Sequence, residues 1–450
     1  MKNSIRNVRQ TAFFPLDDPA FFKRQLLAWA DTHAVCMYLD NNNFPAYTHH
    51  SWECLVAAGG AAVFQAGAGT AFEDLHAFCT QKNDWLFGFF GYDLKNETEK
   101  LNSSHPDGID LPDLLFFQPE YVVGIRRTAQ GPPGTAFEIV VHSISLRPAE
   151  VLLAVQKQEV TPQAADAARR YCPPLSPRLP YPDYVAAVAA IRRHIIEGDV
   201  YELNLCQEFF AENADIEPLA TFERLNALTQ APFAAYFRWH DRYLLCASPE
   251  RFLRKERDRM VSQPIKGTRR RHPDPAADAR IREQLRASEK DRAENVMIVD
   301  LVRNDLARHC RPGSVRVEEL FGIYSFRTVH QMISTVSGLL EPGTRPVEAL
   351  RDAFPMGSMT GAPKVMAMEL IERYERTRRG LYSGALGYFT PEADFDFNVV
   401  IRSILYNAAT GYLSCQVGGA IVYDSLPEQE YEECLVKARA LLEALGMQPT

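Results

Sequence analysis

The chain has 450 residues, of which 46% are hydrophobic, and a formal net charge of −8 at pH 7. This length is enough for two domains or for one large double-layered domain with a sizeable core. The acidic balance, with Lys and Arg interleaved with Asp and Glu, excludes a continuous basic face, so we expect no nucleic-acid partner and no membrane partner. No stretch approaches the apolar length of a membrane span.

Cysteine usage and the N-terminal residues both indicate the cytoplasm. The nine cysteines are an odd number without paired CxxC spacing. Such a set indicates free thiols in a reducing compartment, and neither a disulfide framework nor a zinc site. The N-terminal stretch also lacks the apolar core of a secretory signal.

The N-terminal region, residues 1–165, contains short β-rich runs separated by helical and Gly/Pro-rich pieces. The predicted strands lie at 34–39, 61–64, 121–125 and 137–144. A linker rich in Ala, Gln and Pro follows at 166–183, and its prolines stop helix formation. We therefore predict a domain boundary at this linker, followed by a second domain at 184–446.

Longer periodic segments follow the linker. Helical periodicity predicts helices at 184–198, with Gly198 as C-cap, at 276–309 as one long helix or a helix pair, and at 427–445. The predicted strands lie at 200–210, 243–248, 252–254, 260–264, 384–390, 397–406 and 412–423. Helices alternate with hairpins and not with single strands, so the expected fold is an antiparallel α+β sandwich.

Lys266 lies in the motif PIKGT at 264–268, directly before the arginines at 269–271. A lysine becomes an amine nucleophile when its site keeps it neutral. Lowering its pKa from about 10.4 to about 7 disfavours the charged form by roughly 4–5 kcal/mol. We expect partial burial and nearby cations, the three arginines among them, to supply this energy.

Three glutamates form a candidate metal-binding set. Glu294 lies within a predicted helix, and Glu430 and Glu433 are three residues apart on another, so the last two share one face. Mg²⁺ prefers a few carboxylates together with water and substrate oxygens. The alternative is that these side chains are merely solvated, as glutamates on helices usually are.

Other residues are candidates for anion binding or proton transfer. Arg402 lies in a run too apolar for a surface strand, so it needs a partner, either a substrate carboxylate or an internal Asp or Glu. Gly418 and Gly419 let backbone amides approach an anion, although a β-bulge explains two glycines equally well. Glu250 ends a predicted strand, where it is either a general acid or base or the ion-pair partner of a neighbouring arginine.

Two nucleotide sites are excluded. The segment 357–364, GSMTGAPK, does not have the spacing of a phosphate-binding loop, and its proline removes one of the amides that such a loop needs. No strand-to-helix glycine motif indicates a nicotinamide cofactor.

These segments together resemble the chorismate-utilising enzymes and, within that family, the aminodeoxychorismate synthase component I group. The N-terminal half matches more loosely, through GFFGYDL at 88–94. The specific matches lie in order between residues 184 and 446 and are GDVYELNLCQ (198–207), SPERF (248–252), PIKGTRRR (264–271), EKDRAENVMIVDLVRNDLAR (289–308), FPMGSMTGAPK (354–364), GALGYF (384–389), DFNVVIRS (396–403) and QVGGAIVYDSLPEQEYEE (416–433).

The resemblance implies a fold of two stacked, mainly antiparallel β-sheets wrapped by helices, with chorismate and Mg²⁺ bound between them. Glu294 and Glu433 are implied as Mg²⁺ ligands, with Glu430 as a further or neighbouring ligand. The implied catalytic residues are Lys266 and Glu250. The implied substrate-binding residues are Gly267, Thr268, Gln331, Ser358, Tyr382, Arg402, Gly418 and Gly419.

Within this family, Lys266 implies amination at carbon 4 of chorismate, because anthranilate synthases have PIAGT where this chain has PIKGT. Lys266 is expected to attack carbon 2 while Glu250 protonates the departing hydroxyl, after which ammonia displaces the lysine. Water-using relatives carry a lysine at the position of Glu202, so hydroxylation is disfavoured. Gln331 takes a position where relatives often have histidine, with His330 beside it.

Ammonia requires a separate source. The chain has no cysteine in a GxCxG nucleophile elbow, so we expect a glutamine amidotransferase subunit as partner, or free ammonia. Two alternatives remain open: an anthranilate synthase component I, and a non-catalytic chorismate-binding regulatory subunit that keeps the fold.

Overall fold

All strand pairings in the described part of the chain are antiparallel. The computed structural model describes residues 9–44, 49, 51–128, 137–160 and 171–447. The strands are β1 Gln10–Leu16, β2 Val35–Asp40, β3 Cys54–Ala66, β4 Leu86–Phe90, β5 Leu114–Arg127, β6 Phe137–Ser143, β7 Ser176–Pro177, β8 Glu202–Ala211, β9 Phe233–Trp239, β10 Arg242–Ser248, β11 Arg251–Glu256, β12 Arg259–Gln263, β13 Ile265–Arg270, β14 Arg316–Ser325, β15 Val329–Leu339, β16 Gly361–Ala362, β17 Ala385–Phe389, β18 Phe395–Val399, β19 Ser403–Asn407 and β20 Tyr412–Ile421.

Helices connect and cover these strands. They are α1 Pro19–Asp31, α2 Ala71–Lys82, α3 Lys95–Thr98, α4 Pro148–Gln156, α5 Tyr181–Glu197, α6 Pro218–Thr229, α7 Pro275–Ala287, α8 Glu289–Ala307, α9 Pro346–Ala353, α10 Lys364–Tyr374 and α11 Pro427–Ala444, with 3₁₀ turns at Tyr92–Leu94 and Gly357–Met359.

The strands form two sheets that share one strand. The first has the order β1-β6-β5-β3-β2-β9-β10-β19-β20-β8, and the short β7 and β16 also pair with β8. The second has the order β4-β17-β18-β11-β12-β15, and β13 and β14 also pair with β15. They meet at β5, which pairs with both β3 and β4. The predicted α+β fold with two mainly antiparallel sheets is confirmed.

Two apolar cores follow from the alternation of side chains along the strands. On β2, Val35 and Met37 face one core, whereas Cys36 and Tyr38 face the other. The core that contains Met37 also takes residues from the second sheet, so it fills the space between the sheets. The core that contains Tyr38 is closed by helices α1, α5, α6 and α11. Both faces of the first sheet are therefore buried.

Most predicted elements of the second region are present. Gly198 ends α5 with φ of +89°, a left-handed conformation that glycine adopts without a Cβ clash. The predicted helix at 276–309 is a pair, because Ser288 breaks the first helix and its hydroxyl accepts a hydrogen bond from Asp291 N to begin the second.

The predicted single strand at 397–406 is wrong. The chain forms β18 in the second sheet, leaves it at residues 400–402, and forms β19 in the first sheet. Arg402 has a φ of +53°, which a continuous strand does not allow. The apolar run is long because both strands are buried, not because they are one strand.

The two predicted regions of the sequence share these sheets. Strand β2 pairs with β9, and β4 pairs with β17. The division at residues 165 and 184 therefore remains a prediction about the sequence, and part of the linker, residues 166–170, lies outside the described residues. Among the described helices, none combines the length and the apolar character needed to cross a membrane.

Candidate active site

One cavity of about 470 Å³ collects the candidate residues. Its walls come from β8, β13, β15, β20, α8 and α11, together with the loops before β11, after α9, before β17 and after β18. All the candidates except Gly419 line it: Glu250, Lys266, Gly267, Thr268, Glu294, Gln331, Ser358, Tyr382, Arg402, Gly418, Glu430 and Glu433. Segments far apart in the sequence thus meet around a space large enough for a small ligand.

Lys266 is held as a cation. It lies on β13, is 8% exposed, and its Nζ pairs directly with the Glu202 carboxylate. Burial acts to lower the pKa of Lys266, but Glu202, Glu294 and Glu250 outweigh it, and the pKa is raised. The expectation that burial and nearby arginines make Lys266 neutral is therefore wrong.

Two of the three neighbouring arginines have other partners. Arg269 pairs with Asp291 at 2.6 Å, and Arg271 pairs with Asp278 at 2.7 Å. Their charges are therefore matched locally and do not offset the carboxylates around Lys266.

The resemblance marked the position of Glu202 as one that differs from the water-using relatives, but the sequence did not reveal that Glu202 is the partner of Lys266. Glu202 lies on β8, is 1% exposed, and uses Oε1 for Lys266, while Oε2 is buried without a hydrogen-bond partner. All residues from 202 to 209 of β8 are buried, so no alternation distinguishes the side that faces the site. The available signal was the charge itself, because a glutamate in a strand buried on both faces needs a partner.

Glu250 is suited to hold a proton near neutral pH. Burial raises its pKa to about 7, although the Ser358 hydroxyl and the charge of Lys266 act in the opposite direction. The alternative salt bridge to a neighbouring arginine does not form. Arg251 pairs with Asp396 at 2.9 Å, and Arg254 lies 3.3 Å from Glu256.

Arg402 provides a positive charge in the cavity. Its guanidinium has no salt bridge in the described ranges of the chain, so the internal ion pair left open by the sequence is not formed there. Burial lowers the pKa of Arg402, and the more distant Tyr382 and Glu433 act to raise it. A cation without a direct counter-ion in a cavity fits an anionic ligand.

Gln331 and His330 point in opposite directions because they are consecutive on β15. Gln331 lines the cavity, donates to Thr268 Oγ1 at 3.4 Å, and leaves its Oε1 buried without a partner. His330 is hydrogen-bonded to Ser325 at 2.8 Å and to Asp278 at 2.9 Å. Gln331 can therefore accept a hydrogen bond from a ligand, whereas His330 is already committed.

An acidic end of the cavity contains Glu294, Glu430 and Glu433. Burial raises the pKa of Glu294 to about 7 and also raises that of Glu430. The pKa of Glu433 is lowered, chiefly by Lys437 at 2.7 Å. For two of the three carboxylates, nearby positive charge therefore does not offset the cost of burying a negative one. This suits them to bind a metal cation.

Gly419 lies against this acidic end, although it does not line the cavity. A Cβ placed on it would lie 3.3 Å from Glu430 Oε2 and 3.6 Å from Glu433 Oε1. The oxygens of Glu294, Glu430 and Glu433 do not all converge within 4.8 Å. This separation suits Mg²⁺, which keeps several waters and takes one or two carboxylates.

The comparisons with known proteins agree with this geometry. Residues 39–443 match the family described as chorismate binding enzyme. The chain is 38% identical to aminodeoxychorismate synthase component 1 of Salmonella typhimurium over 80% of this chain and 76% of that protein. It is 35% identical to anthranilate synthase component 1 of Thermus thermophilus over 80% of this chain and 77% of that protein.

The solved structure of anthranilate synthase component I from Streptococcus pneumoniae has the same fold, with a TM-score of 0.73, 24% identity and coverage of 87% of this chain and 92% of that one. Some relatives are longer. The chain spans 39% of the chloroplastic aminodeoxychorismate synthase of Arabidopsis thaliana, to which it is 37% identical over 78% of its own length. The chain belongs to the chorismate binding enzymes.

Proposed function

We propose that this chain converts chorismate and ammonia to 4-amino-4-deoxychorismate, as component I of an aminodeoxychorismate synthase. The observation that carries the proposal is a lysine inside the cavity, Lys266, paired with Glu202 and accompanied by Glu250. An amine and a protonated carboxyl in one cavity supply a nucleophile and an acid. The name of the Salmonella relative supports the same activity.

Chorismate carries two carboxylates, and the cavity offers groups for both. The Arg402 guanidinium can take one through its planar fork. Gly267, with φ of +86°, turns the backbone between Lys266 and Thr268 so that their amides can serve an anion. The free Oε1 of Gln331 can accept a hydrogen bond from a substrate hydroxyl.

The first half of the proposed reaction forms a covalent bond to Lys266. Its ammonium passes one proton to Glu202, with which it is already in contact. The neutral amine then forms a bond to carbon 2 while the two conjugated ring double bonds shift and the bond from carbon 4 to oxygen breaks. Glu250 gives its proton to the departing hydroxyl, which leaves as water.

The second half reverses the displacement. Ammonia forms a bond to carbon 4, the two ring double bonds shift back, and the bond from carbon 2 to the lysine nitrogen breaks. Glu250 takes the surplus proton from the new ammonium, and Glu202 returns its proton to Lys266. The chain ends as it began, with one ammonia consumed and one water released.

Glu294, Glu430 and Glu433 would hold Mg²⁺, since all three line one end of the cavity and burial raises the pKa of Glu294 and Glu430. When bound, the metal would neutralise negative charge on the substrate carboxylate. Without it, these glutamates would repel a dianionic substrate.

The proposed ammonia source is a glutamine amidotransferase subunit, as the name component 1 of the Salmonella relative suggests. A separate lyase would convert the product to 4-aminobenzoate for folate synthesis. The nine cysteines are free, as the sequence predicted, and the cytoplasm is the proposed location.

The test is incubation of the purified chain with chorismate, Mg²⁺ and ammonium, with products separated and identified by mass. An aminochorismate that a 4-amino-4-deoxychorismate lyase converts to 4-aminobenzoate supports the proposal. Anthranilate as the product would replace it with the second candidate, which the Thermus relative favours.

Lys266→Ala is the matched variant for this test. It is expected to form no covalent adduct and to lose the 4-amino product while it still binds chorismate. Normal turnover by this variant would rule out the lysine as nucleophile. Binding of chorismate with Mg²⁺ by the wild-type chain, without turnover to any product, would favour the non-catalytic chorismate-binding role.

A further inference from the structure

Arg379 lies behind the cavity wall, in the loop between α10 and β17, and is 2% exposed. Each of its five N–H groups has an acceptor within hydrogen-bonding distance. The contacts are Nε to Glu375 Oε2 at 3.0 Å, Nη2 to Glu375 Oε1 at 2.6 Å, Nη2 to Asn204 O at 2.9 Å, Nη1 to Met359 O at 2.6 Å and Nη1 to Ser383 Oγ at 3.4 Å. All the N–H groups of the guanidinium therefore hold protein groups around it in place.

Two of these acceptors, Asn204 and Met359, line the cavity directly, from β8 and from the turn that carries Ser358. A third, Ser383, belongs to the same loop as Arg379 and directly follows Tyr382, which also lines the cavity. One planar group thus holds the loop that carries Tyr382 against two segments from other parts of the chain.

Glu375 extends the same network. It is 2% exposed and accepts a hydrogen bond from Cys206 N at 2.8 Å, in addition to its two bonds from Arg379. The pair is therefore bonded to β8 at both Asn204 and Cys206, the first of them two residues beyond Glu202. The position of β8, the strand that carries Glu202, therefore depends on the Arg379–Glu375 pair.

The N-terminal region holds Arg379 from the other side through Tyr92 and Asp93 of the GFFGYDL motif. The Arg379 guanidinium lies 4.4 Å from the centre of the Tyr92 ring. Tyr92 N donates to Gly380 O at 2.7 Å, and Gly380 N donates to Asp93 Oδ2 at 3.0 Å. The motif that matched the family only loosely is therefore in contact with the loop that orders the cavity.

Fold stability alone does not explain this arrangement. A buried ion pair costs desolvation energy and is often replaceable by apolar residues without loss of stability. What an apolar pair cannot supply is a set of directed hydrogen bonds that joins this loop to β8 and to the turn at Met359.

We propose that Arg379 is a positioning residue, which sets the relative placement of Asn204, Ser358 and Tyr382 around the bound substrate. This inference rests on the proposed function, because it assigns the cavity to a reacting substrate. A displacement of reacting groups by about 1 Å costs on the order of 100-fold in rate.

The test is Arg379→Lys in the full chain. Lysine keeps the charge but donates from one atom, so it cannot reach all three segments. We expect kcat to fall about 100-fold, with less than a tenfold change in chorismate affinity and with native secondary structure. The matched control is Arg9→Lys, because Arg9 is 9% exposed and also bonds a carboxylate, Asp84, and two carbonyls, but away from the cavity.

The separation of kcat from affinity distinguishes positioning from stability. A kcat within threefold of wild type, measured per folded molecule, would overturn the proposal. If Arg379→Lys does not fold, Glu375→Gln is measured in the same way, since it keeps an acceptor for Cys206 N but weakens the hold on Arg379. If the wild type makes a different product, the proposed function fails, while the ratio of rates for that product still tests Arg379.

Discussion

Glu202→Gln is the variant that separates the proposed proton transfer from a passive ion pair. In the wild type the carboxylate of Glu202 touches Lys266 Nζ and can take its proton internally. Glutamine keeps the size and the hydrogen bond but does not accept the proton. Lys266 must then lose its proton to solvent before it reacts.

The expected loss follows from the role of Glu202 as the positioned proton acceptor. Such a group contributes typically about 10²- to 10⁴-fold in rate. Removal of the carboxylate also takes away the charge that raises the pKa of Lys266, and burial then favours the neutral amine, so part of the loss is recovered. We therefore expect adduct formation at pH 7 to slow by about 10²- to 10³-fold, and to recover as the pH rises and the neutral amine becomes more populated.

The assay is single-turnover adduct formation with chorismate and Mg²⁺, without ammonia, followed by intact-protein mass between pH 6 and 9. Glu208→Gln is the control, because Glu208 lies on the same strand, is 2% exposed, and pairs with Arg178 at 2.9 Å. A Glu202→Gln enzyme that is as fast as wild type at pH 7, or faster, would refute the reasoning. Glu202 would then only hold the lysine charged.

Three further predictions concern the rest of the cavity. Burial raises the pKa of Glu250 to about 7 and its protonated form is the proposed acid, so kcat/KM should decline above about pH 7. Glu250→Gln should slow the reaction by about 10²- to 10⁴-fold and remove that decline. An unchanged pH profile in this variant would contradict the role of Glu250 as the acid. Arg402→Lys should weaken chorismate binding by about 10- to 100-fold in calorimetry, since the planar fork is lost; equal affinity would show that Arg402 does not hold a carboxylate. Gly419→Ala should raise the Mg²⁺ concentration for half-maximal activity about tenfold at constant chorismate affinity. The reason is that the added Cβ would lie 3.3 Å from Glu430 Oε2 and 3.6 Å from Glu433 Oε1. An unchanged Mg²⁺ requirement would place the metal elsewhere.

Much of the cavity could be predicted because its residues lie in short motifs with unusual composition. An arginine in the apolar run at 399–405 and a lysine in PIKGT are each costly to bury without a partner, so the residues alone make both candidates, and the family resemblance then assigned them to a substrate site. The helices at 276–309 and 427–445 were predictable for a different reason, since their periodicity is local, although only the structure shows that Ser288 divides the first into a pair.

What could not be predicted depends on contacts between distant segments. Lys266 and Glu202 are 64 residues apart and meet only because the fold brings β13 and β8 together at the wall of one cavity. The strand predicted at 397–406 failed for the same reason, since only the pairing of the two sheets shows where the chain crosses between them. Strands β13 and β14 carry several charged residues and do not show a clear alternation.

The Lys266–Glu202 pair fits the proposed reaction, in which the lysine is charged at rest and then acts as the nucleophile. A site that lowers the pKa of lysine needs apolar surroundings or nearby cations, and both are poorly compatible with the several glutamates that surround Lys266 in this cavity. A paired carboxylate removes this conflict, because the proton moves a short distance and the total charge of the pair is unchanged. Only a small population of the neutral form of the pair is needed. A substrate that reacts with the neutral amine removes that form and so draws more of the ionic form into it. In such a site Glu202 matters as much as Lys266, and a relative with PIKGT but without an acceptor at this position would need another route for the proton.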